Sequence, residues 1–400
     1  MNSYIVDGVR TAIGNFAGTL SGVRADDLGA IVLKELISRN ASFDHTEISD
    51  IIMGCANQAG EDNRNVARMS ALLAGIPYTV PAETVNRLCA SGMSAVINAS
   101  RAIHANEGDL MIAGGIENMT RGPWVISKVS KPFGRDAEMH DSSFGWRFIN
   151  PKMKEVYGVD AMGETAENLA DLYKINRDDQ DQFAYWSQQK AAASNDFFAG
   201  EIVSVPIPQR KGDPLLFQQD EFVKPDTSLG ALSLLKPAFR KDGTVTAGNA
   251  SGLNDGAAAI LLAGEEGLKK HGMSPMARVV SSAVVGVEPR IMGIGPVGAS
   301  RLALKRAGIS LEQVDIIELN EAFAAQVLAC TRSLGLEDND SRINPHGGAI
   351  ALGHPLGMSG TRILYSAARQ LNASGKKYAL CTMCIGVGQG YAVVLENSKN

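Results

Sequence analysis

The sequence predicts an α/β protein built from two related halves with a segment inserted in the first. Helical patterns alternate with short apolar strands, and stretches of the first half recur 265 positions later. Alternating helices and strands are typical of sheets that helices cover on both faces. Similarity at a fixed period indicates a duplicated structural unit, and a period this long indicates paired halves rather than a solenoid.

The repeat is clearest at two turns with the same Gly-Met-Ser. Cys89 in LCASGMSA corresponds to His354 in GHPLGMSG, and EISDII (47–52) corresponds to EQVDII (312–317) at the same offset. Equivalent positions of paired halves can meet across a pseudo-twofold axis. We therefore expect Cys89 and His354 to lie close together, each at the start of a helix.

Each turn is followed by a helix with apolar residues at helical spacing and then by a buried strand. The strands are GDLMIAGG in the first half and KKYALCTMC in the second. The closing strand GQGYAVVLEN has its nearest first-half counterpart only in NDGAAAILLA (254–263), so the first half is interrupted.

The chain is therefore divided into three parts. Residues 1–121 and 250–273 form the N-terminal half, residues 122–249 an inserted loop domain, and residues 274–400 the C-terminal half. The insertion contains irregular, charged text and an amphipathic helix near residues 162–195. Loop-rich insertions on a rigid scaffold commonly carry substrate recognition.

Composition indicates a globular protein without a broad surface for polyanions. The 400 residues are 45% hydrophobic and 20% charged, with a formal net charge of −5. This charge disfavours binding to nucleic acid or an acidic membrane, and no run reaches the roughly 18 apolar residues of a membrane span. The start, MNSYIVDGVRTAIG, shows no leader pattern, and five cysteines are an odd count without a disulfide framework. We expect a cytoplasmic protein with reduced thiols.

The paired turns predict a nucleophile and its base. The N–H groups at a helix start favour a thiolate at Cys89, and the imidazole of His354 can accept the thiol proton. Cys384 precedes the glycine-rich turn IGVGQG, whose N–H groups can bind an oxyanion, and Asn320 in LNEAFAA can orient a water. These groups suit Claisen-type chemistry with a covalent intermediate.

Taken singly, the same residues have other interpretations. A cysteine at a helix start is commonly inert packing, and a histidine before proline commonly has a structural role. Cys381 and Cys384 have the CxxC spacing of zinc and redox sites, but the sequence contains no second pair. GVGQG differs from the dinucleotide fingerprint and no phosphate-binding loop occurs, which disfavours nucleotide chemistry. We expect no metal site.

At these residues the chain resembles the thiolase family over essentially its whole length. Four motifs carry the resemblance: VNRLCASGMSAV, NEAFA, GGAIALGHPLGMSG and CTMCIGVGQG. The resemblance implies a thiolase-like α/β fold, in which two pseudo-duplicated halves have helix-layered, mixed five-stranded sheets. It also implies a homotetramer, a dimer of dimers, and an acyltransferase reaction with CoA as co-substrate and no bound cofactor.

The resemblance also implies a role for each reactive group. Cys89, deprotonated by His354, attacks C3 of a 3-oxoacyl-CoA and becomes acylated. Cys384 protonates the departing acetyl-CoA carbanion and then deprotonates the incoming CoA. The N–H groups of Cys89 and Gly386 form one oxyanion site. The second consists of His354 and a water that Asn320 holds.

By motif match, CoA runs along the loop domain, with Lys224 near its nucleotide and Ser251 near its pantetheine. Ala161 stands where short-chain biosynthetic relatives have a histidine, which argues against a purely acetoacetyl-CoA role. His346 replaces a frequent asparagine, and the sequence assigns it no effect. The predicted tunnel lining is Met162, Met292, Ala322 and Phe323.

Within the family, CANQAGEDNRNVARM and SSFGWRFINPKMKEVYGVDAMGETAEN are similar to 3-oxoadipyl-CoA thiolases, which yield succinyl-CoA and acetyl-CoA in aromatic-compound catabolism by the beta-ketoadipate pathway. The terminal carboxylate of that acyl chain needs a cation or strong donor. Arg147, between Trp146 and Phe148, which would shield the pair from water, is the first candidate, and Arg64 is the second.

Three alternatives stay open at this point. One is a general 3-oxoacyl-CoA thiolase or acetyl-CoA acetyltransferase. Another is a 3-oxoacyl synthase, which would carry a histidine in place of Cys384. The third is a non-catalytic acyl-CoA-binding protein of the same fold, which could dispense with Cys89 and Cys384, although this chain has both.

Overall fold

The strands of the computed structural model, which describes residues 2–399, follow the predicted alternation with helices. In chain order they are β1 (Ser3–Thr11), β2 (Gly14–Asn15), β3 (Asp50–Gly54), β4 (Ala82–Val85), β5 (Leu110–Asn118), β6 (Trp124–Ile126), β7 (Met139–Asp141), β8 (Ile202–Val203), β9 (Val205–Ile207), β10 (Leu215–Phe217), β11 (Asn254–Gly264), β12 (Ala277–Gly286), β13 (Ile316–Leu319), β14 (Tyr378–Ile385) and β15 (Gln389–Asn397).

The α-helices are α1 (Ala25–Arg39), α2 (Val66–Leu73), α3 (Ser91–His104), α4 (Pro151–Tyr157), α5 (Met162–Tyr173), α6 (Arg177–Ala192), α7 (Asn195–Ala199), α8 (Leu229–Ser233), α9 (Glu265–His271), α10 (Gly295–Ala307), α11 (Ala324–Leu334), α12 (Ala349–Leu352) and α13 (Leu356–Ser374). Across residues 2–399, none of the helices combines the length and the apolar character that crossing a membrane requires.

The predicted repeat is visible in the order of the strands. In the first half, β4, β3 and β5 are parallel, and β11 and β1 follow antiparallel. In the second half, β13 and β14 are parallel, and β15 and β12 follow antiparallel. Where the first half has β4, the described part of the second half has only a parallel bridge between Ile317 and Ile343. The second sheet thus has four strands and a bridge, rather than the five strands that the resemblance implied.

The two halves share one continuous sheet. β1 pairs antiparallel with β12 through Tyr4 opposite Arg278 and Ile5 opposite Ala277. Strand order therefore runs from β13 at one edge through β12 and β1 to β4 at the other edge. This junction satisfies backbone groups that would otherwise lie at two exposed sheet edges.

Helices α3 and α13 form a central layer between the two halves of the sheet. In β11, Ala257, Ala259 and Leu261 pack in the cluster that includes α1 and α2, whereas Ile260 and Leu262 pack with α3 and α13. The side chains of β15 alternate in the same way, between a cluster with α10 and the central cluster. Because alternate strand residues face opposite sides of a sheet, each half-sheet has one outer helix layer and shares the central one.

Glycines let the starts of the two central helices approach closely. A Cβ on Gly92 would lie 2.4 Å from the carbonyl oxygen of Gly357, and a Cβ on Gly357 would lie 2.2 Å from that of Ile116. Since a Cβ cannot approach backbone this closely, the glycine of the repeated Gly-Met-Ser is a packing requirement at both positions. The turns before α3 and α13, which carry Cys89 and His354, therefore meet.

The inserted segment, residues 122–249, is integrated into both halves. β8 pairs parallel with β1 in the main sheet, while α5 and α6 pack against α11. The single helix predicted near 162–195 was wrong. Lys174 ends α5 in the left-handed conformation, with φ of 53°, and the side chain of Asn176 accepts from the N–H of Asp179 to cap a new helix, α6.

Candidate active site

The three predicted reactive groups line one cavity. Cys89, His354 and Cys384 surround a space of about 280 Å³ that the loop domain covers with Phe144 and Met162. Cys89 comes from the turn before α3, His354 from the turn before α13, and Cys384 from the end of β14. Residues that are 265 positions apart thus supply two of the three groups, as the duplication predicted.

Cys89 lies in a 3-10 turn, Leu88–Ala90, between β4 and α3. Its half-buried sulfur faces two N–H donors, from Gly386 and from its own backbone, which are the predicted first oxyanion pair. Burial raises the pKa of the thiol above its usual value, and these two donors only partly offset that effect. The net direction is upward, so Cys89 rests as a thiol until a base accepts its proton.

His354 is buried and its ring is held in one tautomer. Its Nδ1 lies 2.6 Å from the hydroxyl oxygen of Ser359, which itself donates to the carbonyl oxygen of Pro355 at 2.8 Å. Because that hydroxyl proton is already used, we assign the ring proton to Nδ1, which leaves Nε2 as an acceptor that faces the Asn320 amide at 3.4 Å. Burial lowers the pKa of His354 to about 4, so the imidazole is neutral at physiological pH.

Asn320 follows β13 and faces His354, and both residues belong to the second half. Its Nδ2 lies 3.4 Å from Nε2 of His354, and its N–H donates to the carbonyl oxygen of Thr382 at 3.0 Å. Its buried Oδ1 has no hydrogen-bond partner among residues 2–399. A buried amide oxygen of this kind requires a partner, and a water or a polar group of the substrate can serve. The arrangement fits the predicted second oxyanion site.

Cys384 is buried near the end of β14. Burial raises the pKa of its thiol well above the usual value, and Cys89 and Cys330 raise it further. A thiol that keeps its proton at neutral pH is suited to protonating a carbanion. Gly386 follows, and its N–H points at the Cys89 sulfur.

Sequence reasoning missed Glu117, which ties the surrounding loops together. Its buried carboxylate accepts from the N–H groups of Ala56 at 3.0 Å, Asn57 at 3.1 Å and Gly357 at 2.9 Å. It thus joins the loop after β3 to the start of α13. Burial raises the pKa of Glu117 to about 7. The available signal was an acidic residue in an otherwise buried strand, LMIAGGIEN.

Glu117 also belongs to a small group of possible metal ligands. Donor atoms of Cys55, Asp62 and Glu117 lie within 4.8 Å of one another. The carboxylates already accept backbone N–H groups, including that of Gly60 by Asp62, and the Cys55 sulfur lies 3.9 Å from Asp62 Oδ2. A cation would have to displace these donors, so we assign no metal here.

Most predicted CoA contacts line the same cavity. Ser251 does so, and its hydroxyl donates to the carbonyl oxygen of Ala322 at 3.1 Å. Lys224 lies outside the cavity lining, where it is exposed and its Nζ lies 5.4 Å from the ring centre of Phe222. The other predicted lining residues are present, together with apolar ones that carried no sequence signal: Met162, Met292, Ala322, Phe323, Met119, Phe239 and Leu356.

The two candidate arginines differ in their surroundings. Arg147 is half-buried and contacts Ser142 and Asn57, whereas Arg64 is exposed and has a left-handed backbone with φ of 66°. The aromatic residues beside Arg147 have other partners: Trp146 donates to the carbonyl oxygen of Asp160, and the ring of Phe148 meets that of His140. The expectation that Trp146 and Phe148 would shield Arg147 finds no support in these contacts.

Of the two residues noted as departures from the family pattern, His346 has a structural explanation and Ala161 has none. The His346 ring stacks on Phe197 with centres 3.9 Å apart, and its Nδ1 lies 2.9 Å from the hydroxyl oxygen of Ser194. His346 therefore joins α7 to the loop before α12. Ala161 precedes α5 as its N-cap residue without a capping side chain.

The class of protein follows from the fold, the site and the family models together. Residues 3–266 match the thiolase N-terminal domain, and residues 273–397 match the thiolase C-terminal domain. The chain belongs to the thiolase family, which confirms the resemblance and the predicted fold class.

Two curated thiolases and one solved structure are similar to the chain over nearly its whole length. The chain is 57% identical to a beta-ketoadipyl-CoA thiolase of Acinetobacter baylyi, across 99% of both chains. It is 56% identical to the 3-oxoadipyl-CoA/3-oxo-5,6-dehydrosuberyl-CoA thiolase of Escherichia coli K12, across 98% of this chain and 99% of that protein. The crystal structure of human mitochondrial 3-ketoacyl-CoA thiolase superposes with a TM-score of 0.91 at 40% identity, covering 99% of each chain.

Proposed function

We propose that this chain cleaves 3-oxoadipyl-CoA with CoA to give succinyl-CoA and acetyl-CoA, by a ping-pong reaction through an acyl-cysteine. The convergence of Cys89, His354 and Cys384 on one cavity carries the proposed chemistry. The high identity to two relatives named for this substrate supports the choice of acyl chain.

In the first half-reaction, the Cys89 sulfur attacks C3 and its proton passes to Nε2 of His354. Since both groups are neutral at rest, proton transfer accompanies the attack. The C3 oxygen becomes an oxyanion, which accepts from the N–H groups of Cys89 and Gly386. The C2–C3 bond then breaks with its electron pair on C2, and Cys384 gives its proton to C2, which releases acetyl-CoA.

In the second half-reaction, the Cys384 thiolate takes the thiol proton of incoming CoA. The CoA sulfur attacks the succinyl carbon on Cys89, the bond to the Cys89 sulfur breaks, and His354 returns its proton to that sulfur. During the earlier carbon–carbon cleavage, the thioester oxygen of the acetyl-CoA portion faces His354 and a water held by Asn320. Each group therefore ends in its starting protonation state.

The cavity also gives support to a second candidate, a general 3-oxoacyl-CoA thiolase or acetyl-CoA acetyltransferase. The cavity lining is mostly apolar, and within the described residues it includes no lysine or arginine. An apolar lining suits an uncharged acyl chain. A non-catalytic acyl-CoA-binding protein would not need the two thiols and the imidazole together.

Kinetics with paired substrates test these alternatives. The purified full-length protein is mixed with CoA and either 3-oxoadipyl-CoA or uncharged 3-oxohexanoyl-CoA, and the products are identified by mass spectrometry. We expect succinyl-CoA and acetyl-CoA in equal amounts and a higher kcat/KM for 3-oxoadipyl-CoA. Preference for the uncharged chain would favour the second candidate. Binding without cleavage would favour a carrier.

We also propose that residues 122–249 supply CoA recognition through Lys224 near the nucleotide, together with Ser251, which follows this segment, near the pantetheine. This segment covers the cavity through Met162 and Phe239.

The chain would act in the cytoplasm as a homotetramer that needs no bound cofactor. Light scattering on the purified protein tests the assembly.

A further inference from the structure

We propose that Arg147 binds the terminal carboxylate of the acyl chain, in a subsite formed by the loop of residues 142–147 and the loop after β3. This inference rests on the proposed function, because it concerns the acyl chain of that substrate. It assigns to Arg147 the choice between charged and uncharged acyl chains.

The reaction cavity cannot hold this carboxylate unaided. Its lining is apolar apart from the reacting groups and Ser251, and burying a carboxylate without a partner is costly. Once the succinyl group is on Cys89, its carboxylate carbon is separated from the sulfur by only three carbons. We therefore expect a cation or a strong hydrogen-bond donor near Cys89, just outside the cavity lining.

Arg147 is a cation with unused donors. Its Nη1 lies 3.4 Å from the carbonyl oxygen of Ser142 and its Nη2 lies 3.5 Å from Oδ1 of Asn57, both at the outer limit of a hydrogen bond. No carboxylate within residues 2–399 lies within ion-pair distance of it. By contrast, nearby Arg121 donates through two nitrogens to Glu61. A guanidinium presents a planar fork that matches a carboxylate. Arg121 already binds a carboxylate in this way, whereas Arg147 can still bind one.

A short chain of contacts joins Arg147 to the nucleophile. Asn57, which Arg147 contacts, is held by Glu117, and the adjacent Ala56 accepts from the Asn86 amide at 3.0 Å. Oδ1 of Asn86 in turn accepts from the N–H of Leu88, next to Cys89, at 2.8 Å. In addition, Phe144 on the Arg147 loop lines the cavity. Arg147 thus belongs to the hydrogen-bonded network that also holds the Cys89 turn.

Two rival cations are less suited. Arg87 lies two residues from Cys89, but it donates to Ser94 at 2.9 Å and Gln389 at 3.0 Å, and its guanidinium lies 5.7 Å from the Tyr391 ring centre. Arg64 is exposed in this chain. Of these three arginines, Arg147 is the one that combines partial burial, weak present contacts and a link to Cys89.

The test compares two substrates in five proteins: wild type, Arg147→Met, Arg147→Lys, Arg64→Met and the control Arg135→Met. The measured quantity is the ratio of kcat/KM for 3-oxoadipyl-CoA to that for 3-oxohexanoyl-CoA. We expect Arg147→Met to lower this ratio by about 10- to 200-fold, the loss of one charged hydrogen bond or more. Arg147→Lys should restore part of it. Arg135→Met is the matched control, because Arg135 is an exposed arginine of the same inserted segment.

Each other outcome is decisive. If wild type prefers the uncharged chain, the proposed function fails before Arg147 is tested. If wild type prefers 3-oxoadipyl-CoA but Arg147→Met keeps the ratio, only the subsite is wrong. An equal loss with both substrates would mean that Arg147 has a structural or CoA-binding role. A fall in the ratio with Arg64→Met instead would assign the carboxylate to Arg64.

Discussion

Replacing Gly386 with alanine should impair catalysis without impairing folding. The φ angle of Gly386 is outside the left-handed region, and a Cβ on it would lie 3.4 Å from Leu88 Cδ1 and 3.7 Å from Met162 Sδ. These are ordinary van der Waals contacts, so the protein itself has room for a methyl group. Gly→Ala at a compatible backbone position changes the free energy of unfolding by no more than about 1 kcal/mol.

We expect Gly386→Ala to slow the acylation of Cys89. The N–H of Gly386 faces the Cys89 sulfur, and Met162 belongs to the cavity wall. The new methyl group would therefore lie where the acyl oxygen approaches that N–H. Loss of one oxyanion donor lowers kcat by about 10²–10³-fold, equivalent to about 2.7–4 kcal/mol.

Gly388 provides the matched comparison. Its φ is 82°, and a Cβ there would lie 2.3 Å from the carbonyl oxygen of Val287. Gly388→Ala should thus lower the free energy of unfolding by about 1–3 kcal/mol. Thermal unfolding and thiolysis kinetics are measured for both variants. Wild-type kcat in Gly386→Ala would refute the oxyanion assignment, and unfolding like that of Gly388→Ala would make Gly386 a structural glycine.

Three further outcomes test the site. Incubation with 3-oxoadipyl-CoA without free CoA should add one succinyl mass to the peptide holding Cys89. The Cys89→Ser variant should gain none, since a hydroxyl is far less ionised than a thiol. An adduct on Cys384 would reverse the roles of the two cysteines. Cys384→Ala should still be acylated by an activated donor but exchange deuterium at C2 of acetyl-CoA about 10²–10⁴-fold more slowly; undiminished exchange would assign the proton to another group. Burial raises the pKa of Glu117 from 4.5 to about 7, so its protonated form should add about 3 kcal/mol to the free energy of unfolding below pH 4.5, a contribution lost as the pH rises through 7. Urea midpoints at pH 5 and pH 8 should therefore differ less in Glu117→Gln than in wild type, and an unchanged difference would place that titration elsewhere.

Local sequence patterns predicted the repeated helices and strands well, but they did not predict which distant strands pair. The strand after each paired helix and the closing strands β11 and β15 lie where the apolar runs indicated. The junction between β1 and β12 rests on backbone pairing of only two residues in each strand, which leaves no pattern in the side chains. The break at Lys174 was also hidden, because lysine does not favour left-handed backbone. Asn176, a good N-cap residue, was the usable signal.

Motifs predicted the candidate reacting side chains that the structure brings to one cavity, whereas their protonation depends on the balance of opposing effects. The helix start and two N–H donors favour a thiolate at Cys89, and burial opposes it more strongly. Glu117 was missed for a related reason. Its partners are backbone N–H groups of residues 56, 57 and 357, which only the folded chain brings to one carboxylate.

In the proposed mechanism, the resting protonation states let one cavity serve both half-reactions. Burial keeps Cys89 and Cys384 as thiols and His354 as a neutral imidazole, so none of the three reacting side chains carries a charge before the substrate reacts. Charge then develops on the carbonyl oxygen, where fixed N–H donors stabilise the transition state more than the ground state. It follows that the oxyanion donors should control kcat for every acyl chain. Arg147 meets a charge that is already present in the free substrate, so its loss should affect only substrates that carry a terminal carboxylate.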